Sequence, residues 1–307
     1  DEALRHSMTA GKPADALLSH ACAAAALALT DPLAARTGML AARAYKLLGQ
    51  VCDRSTRMRA ASKLLRCTPW LPEGVALSLA REYGAMCECA DLSLFARLEC
   101  CCAVAAWELE WGGALDIAQS LLSRGLGIAQ AIGLPRASFR LRLLQARLHV
   151  ASGEHDSAIE VMKALAAKPD AGDAHEKAQI SVLNALILGA AGDIRPATEL
   201  ALDLCASPKV FGARHVERCR FEQSMAAHCA AAGEVQRARE WCDYAVASSS
   251  ASEGGAARTA QDMIESFLLI TAGDREVADT GLPRAVSSHH HRCLPGLFVM
   301  APAFAAM

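Results

Sequence analysis

The chain has 307 residues, of which 53% are apolar, 5% aromatic and 21% charged, with a formal net charge of −2. It is too apolar and too weakly charged to be a disordered chain. Abundant alanine beside few aromatic and β-branched residues argues against a sheet protein and for many closely packed helices, and a near-neutral pI of about 6.6 leaves no overall field to draw the chain to nucleic acid or an anionic membrane.

From the N-terminus, helical stretches are expected over 14–30, 33–50, 54–67, 73–90 and 92–111, with Pro32, Pro69 and Pro72 marking boundaries between them. Gly11 is followed five residues on by Ala16. A clear period then takes over. Gly113, Gly153, Gly192, Gly233 and Gly273 recur at steps of 40, 39, 41 and 40 residues, the range of helical solenoids. Five residues after each stands an alanine: Ala118, Ala158, Ala197, Ala238 and Ala278. Seven before each stands another small side chain: Ala106, Ala146, Ala185, Ala226 and Ser266. Glycine ends a helix because it reaches the left-handed backbone without a Cβ penalty. The acids of Gly153-Glu154, Gly192-Asp193, Gly233-Glu234 and Gly273-Asp274 suit the positive end of the next helix. Small residues on both sides of the turn let the two helices approach.

Each unit therefore reads as a helix hairpin, as in Pro135 to Ser152 and Glu154 to Ala167, closed by Lys168-Pro169. Ser207-Pro208 and the run Ser248 to Gly255 mark further stops. Stacked hairpins predict an all-α, right-handed superhelical solenoid of about seven antiparallel hairpins with a concave and a convex side. It is expected over residues 1–286, with a weak period in 1–111 and a strong one in 112–286; 287–307, with His289-His290-His291, Pro295 and Pro302, read as a flexible tail.

The repeated small residues, turn glycine, second-helix alanine and closing proline resemble the tetratricopeptide repeat (TPR), in a longer variant, over roughly residues 93–286. A narrower resemblance lies in Asp1-Glu2-Ala3-Leu4 with Ala14 to Cys22, in Trp111 to Ala131, and in Val216 to Arg220 with Ala231 to Arg239. These segments are similar to the C-terminal repeats of subunit five of the anaphase-promoting complex. That resemblance implies a noncatalytic platform within a multisubunit ubiquitin ligase of the cell cycle, of which this chain would be a portion. The helical subunit of the cohesin loader is a comparable relative.

Thirteen cysteines form no disulfide framework: the number is odd, no CxxC is present, and Cys100-Cys101-Cys102 lies inside a helix. They read as reduced, buried thiols, which implies cytoplasm or nucleus. No signal peptide or spanning segment is visible. Candidate metal clusters are Cys87 and Cys89 with Cys100 to Cys102, His215 with Cys219, and His289 to Cys293; none has a familiar ligand spacing, and no metal or cofactor is expected. Nucleophile elbows, phosphate loops and zincin motifs are absent, so no catalytic residue and no small-molecule substrate are expected. The expected function is a noncatalytic scaffold whose partners are other protein subunits. One alternative is an adaptor holding an extended or acidic peptide in its groove, through Arg140, Arg147, Arg220 and Gln223 with Trp107 and Phe267 as anchors. The other is an all-α enzyme with a cysteine or metal site.

Overall fold

In a computed structural model of the chain, the structure describes residues 13–30, 35–72, 74–89, 91–167, 174–211, 215–248 and 264–265. All regular structure among them is helical. By internal contacts the chain divides into two compact units, residues 1–148 and 149–307.

The first unit begins with α1 (Pro13–Thr30), α2 (Ala35–Leu48) and α3 (Arg54–Leu64), followed by a 3-10 turn over Leu65–Trp70. Then come α4 (Val75–Met86), α5 (Leu94–Trp107), a π turn over Glu108–Gly112 and α6 (Leu115–Ala131). Helix α7 (Pro135–Ala151) crosses the division between the units. Two helix starts carry side-chain caps: Thr56 N donates to Asp53 Oδ2 at 2.8 Å and Ala96 N to Ser93 Oγ at 3.2 Å. Neighbours α1 with α2 and α5 with α6 pair as hairpins, while α1, α3 and α5 pack against one another in series. Their core gathers Leu17, Leu40, Met58, Leu64, Tyr83, Leu122 and Leu141, all fully enclosed.

The helix expected over 54–67 stops at Leu64. Cys67 leaves the helical region (φ −103°, ψ 23°), and Pro69 has no N–H to continue the ladder. The expected 92–111 helix also changes character near its end. Its last turn widens, and Gly113 N reaches back to Glu108 O at 2.8 Å.

The second unit contains α8 (His155–Ala166), α9 (Ala174–Ala190), α10 (Ile194–Ala206), the short α11 (Pro208–Phe211), α12 (His215–Ala231) and α13 (Val235–Ser248). Hairpins α9/α10 and α12/α13 are the closest pairs, and α9 packs on α12. Phe221 stands at 5.5 Å from Phe211 and edge-on to Trp241 at 6.4 Å, giving this core its aromatic centre.

The turn glycines behave as their spacing predicts. Gly153, Gly192 and Gly233 have φ of 76°, 89° and 78°. Each closes a Schellman turn, for instance with Gly153 N donating to Val150 O at 3.0 Å and Glu154 N to His149 O at 2.7 Å. Glu154 and Asp193 occupy the N-cap positions but make no side-chain cap bond there. Their contribution is charge at the helix end alone; Glu154 Oε2 instead contacts His149 Nδ1 at 2.7 Å. The expected Gly273 turn with Ala278, and the expected tail 287–307, lie outside the described residues, as does most of the Ser248–Gly255 run.

The alanines flanking these turns are enclosed: Ala185, Ala197, Ala226 and Ala238 have no exposed surface. Ala185 with Ala197, and Ala226 with Ala238, sit in one buried cluster. Ala197→Leu and Ala238→Leu are each expected to overpack it and lower local stability by about 1–3 kcal/mol, read from amide hydrogen exchange in α10 and α13. Unchanged protection in both would mean that the hairpin seam lies elsewhere.

Candidate functional site

Three helices that each open a hairpin in the sequence pattern, α3, α5 and α7, come together around an open cavity of about 430 Å³, a size that suits a small ligand or a few peptide residues. The end of α3 and the turn after it supply Ser62, Lys63 and Arg66. Helix α5 supplies Phe95, Leu98, Glu99, Cys102 and Ala103, a stripe at helical spacing along one face. The start of α7 adds Pro135, Arg136, Ala137 and Arg140, next to Leu134. All of these lie within the first unit.

Charge in this cavity is one-sided: Lys63, Arg66, Arg136 and Arg140 face a single carboxylate, Glu99. That carboxylate is already engaged, accepting from Lys63 Nζ at 2.9 Å and Arg59 Nε at 3.2 Å. Arg59 also stands over the Phe95 ring, 6.0 Å from its centroid. Loss of hydration, and second the like charge of Arg140, hold the Arg66 pKa below that of a free arginine; Glu110 and Glu99 oppose this more weakly. Phe95 is 49% exposed, an apolar ring presented at the mouth.

Of the six residues expected to bind a partner, Arg140 lines this cavity. Arg147 is committed to Glu110, with Nη1 and Nη2 each donating to Oε1 at 3.2 Å. Trp107 is not an exposed anchor. It is 6% exposed and donates from Nε1 to Thr68 Oγ1 at 3.1 Å, which commits the ring to the 3-10 turn at Leu65–Trp70. Gln223 is likewise enclosed, its Nε2 donating to Cys219 Sγ at 3.3 Å. Arg220 is half-buried in the second unit, its Nε making no hydrogen bond. Phe267 lies outside the described residues. Lys63, Arg66, Phe95, Glu99 and Arg136 were not singled out by the sequence pattern, although Arg59, Glu99 and Arg140 stand 40 and 41 residues apart.

The twelve described cysteines are thiols, none of them bridged. Burial pushes Cys67 up to about 12 and Cys102 up to about 11. A hydrogen bond with Cys100, and burial among further causes, raise Cys87; a bond with Cys87, then burial, raise Cys101. Thiols held this way are poor nucleophiles at neutral pH. Among the described residues no group of three or more His, Cys, Asp and Glu side chains is placed to hold a metal ion. No helix among them is long and apolar enough to cross a membrane.

An acid and an imidazole are among the polar groups buried in the second unit. Glu222 on α12 has a side chain 1% exposed and accepts from Arg218 Nε at 2.8 Å. The Cys205 thiol from α10 lies near it, raised to about 12 by burial and then by the Glu222 charge. His228, 4% exposed, stands against Gly189 of α9, where an added Cβ would meet its ring at 2.8 Å. Burial, and then the charge of His155, lower the His228 pKa to about 4.

The fold is that of an all-α, TPR-like protein built of sequential helix hairpins. Among solved structures the chain is similar to a Rap protein complexed with competence and sporulation factor, at 13% identity and a TM-score of 0.51 over 92% of this chain and 88% of that one. No family model matches the chain, and no curated protein matches it.

Proposed function

We propose that the chain is a noncatalytic recognition protein that holds an extended segment of another polypeptide against the α3, α5 and α7 wall. The observation that carries this reading is the cavity itself, where three hairpin-opening helices leave a hollow with an apolar side and surplus positive charge. Solenoids of helix hairpins present their binding surfaces along such walls. The likeness to a Rap protein solved with its factor supports the reading at the level of fold.

The broader expectation, a protein that works through protein partners, is contained in this reading. The narrower one, a ubiquitin-ligase subunit, has no support from the comparisons, since no curated protein matches. Selection of a displayed random decapeptide library against the purified chain tests the reading. Recovered peptides are expected to bind with micromolar affinity and to lose at least tenfold to Ala137→Trp, which fills the cavity mouth from α7. Melting of that variant should stay within a few degrees of the parent. A library that yields no binder, or binders indifferent to Ala137→Trp, would overturn it.

A further inference from the structure

We infer that the cavity between α3, α5 and α7 is a carboxylate-reading subsite: Arg66 and Arg140 grip a peptide carboxylate while the residue beside it rests on Phe95, Leu98 and Leu134. This rests on the peptide-binding reading and names the chemistry the wall selects.

The first support is charge. Lys63, Arg66 and Arg140 line the same hollow with one carboxylate, Glu99, which is occupied by Lys63 and Arg59. The positive charge of Arg66 and Arg140 is therefore left for an incoming anion. Arg147 offers the contrast, since both its terminal nitrogens are held by Glu110. Two guanidinium groups lining one hollow repel each other when it is empty, and an oxyanion placed between them relieves that repulsion while taking charge-assisted hydrogen bonds. The like charge of Arg140 is already felt at Arg66, the second cause of its lowered pKa.

The second support is shape. The apolar lining argues against a bare inorganic anion, because a hydrated phosphate gains nothing from Phe95, Leu98 or Leu134, whereas a peptide residue covers them. An acidic group with an apolar neighbour satisfies both sides of the hollow. A terminal carboxylate and an Asp or Glu side chain share this chemistry.

The test uses the full chain with a positional-scanning pentapeptide library made in two forms, free acid and C-terminal amide, with Asp and Glu replaced by Asn and Gln in a parallel set. Affinities come from competition fluorescence. Removing the relevant carboxylate is expected to weaken binding about tenfold or more. Loss in the amide set identifies the terminus; loss in the Asn/Gln set identifies a side chain. Arg66→Gln and Arg140→Gln should each weaken the carboxylate-bearing peptide and erase its advantage over the neutral one. Arg195→Gln, exposed in the second unit and paired with Glu199, should leave that advantage unchanged. Bound peptide should also slow methanethiosulfonate labelling of Cys102, which lines the hollow, and leave the exposed Cys22 and Cys52 unaffected. Peptides that bind equally well without any carboxylate, or bind both arginine variants as tightly as the parent, overturn the subsite and leave peptide binding standing. Inorganic phosphate competing at the affinity of the best peptide overturns it in favour of a simple anion site. A chain that binds no member of any set overturns this inference and the proposed function together.

Discussion

Arg218→Met is expected to destabilise the second unit by about 3–5 kcal/mol, and Arg218→Met with Glu222→Met to recover most of that loss. The argument starts from the asymmetry of the pair. Glu222 is 1% exposed and Arg218 38%, at 2.8 Å from Nε to Oε1. The acid has given up its hydration, whereas the base keeps part of its own. Removing the base strands a carboxylate among Phe221, Met225 and the Cys205 thiol, where its solvation is not replaced. Removing both trades an ion pair for two flexible apolar side chains, a change that buried pairs commonly tolerate. Amide hydrogen exchange in α12 and α13 reads the effect locally, which is needed because a chain of two units gives no single unfolding free energy. A single variant with native protection factors would show that Glu222 is not left uncompensated.

The second large effect is acid loss centred on His228. Its pKa is about 4 when folded, against an ordinary value of 6.5. The unfolded chain therefore takes up a proton more readily than the folded one. Stability from this group is complete above about pH 6.5, falls as the pH drops toward 4, and the full loss is about 3 kcal/mol. Burial is the larger cause and the charge of His155 the smaller. Nothing nearby can move aside easily, since Gly189 supplies no side chain and its backbone lies directly against the ring. Melting temperatures between pH 7.5 and 4.5 should fall faster for the parent than for His228→Gln, the difference between the two slopes belonging to His228. Parallel slopes would mean that the imidazole is protonated without penalty.

The hairpins turning at Gly113, Gly153, Gly192 and Gly233 were legible because only a few residues can make the turn. A left-handed backbone at Gly153, Gly192 and Gly233 admits glycine most readily, and a close helix crossing needs small side chains beside it. The first three hairpin boundaries were harder to place. A 3-10 turn at Leu65–Trp70 and a widened turn at Glu108–Gly112 break the strict spacing, so Lys63 and Arg66 could not be registered against Arg140. The site suffered most from rotation. On a helix, an error of one position turns a side chain by about 100°, enough to expect Trp107 as an anchor on the concave wall when it is enclosed and bonded to Thr68. Gln223 was misplaced for a different reason: Phe221 to Ala230 are buried on every face, so α12 presents none of them as an open wall.

Ile264 is 1% exposed within the core of the second unit, and Glu265 receives Arg239 Nε and Nη2 at 3.0 and 3.1 Å. For anyone cutting a shorter piece for crystallisation or display, this sets a practical boundary. A fragment ending at Ser248 would keep every helix of the second unit named above and still strip a buried side chain from its core and a partner from Arg239. Shortening from the C-terminal side should stop beyond Glu265.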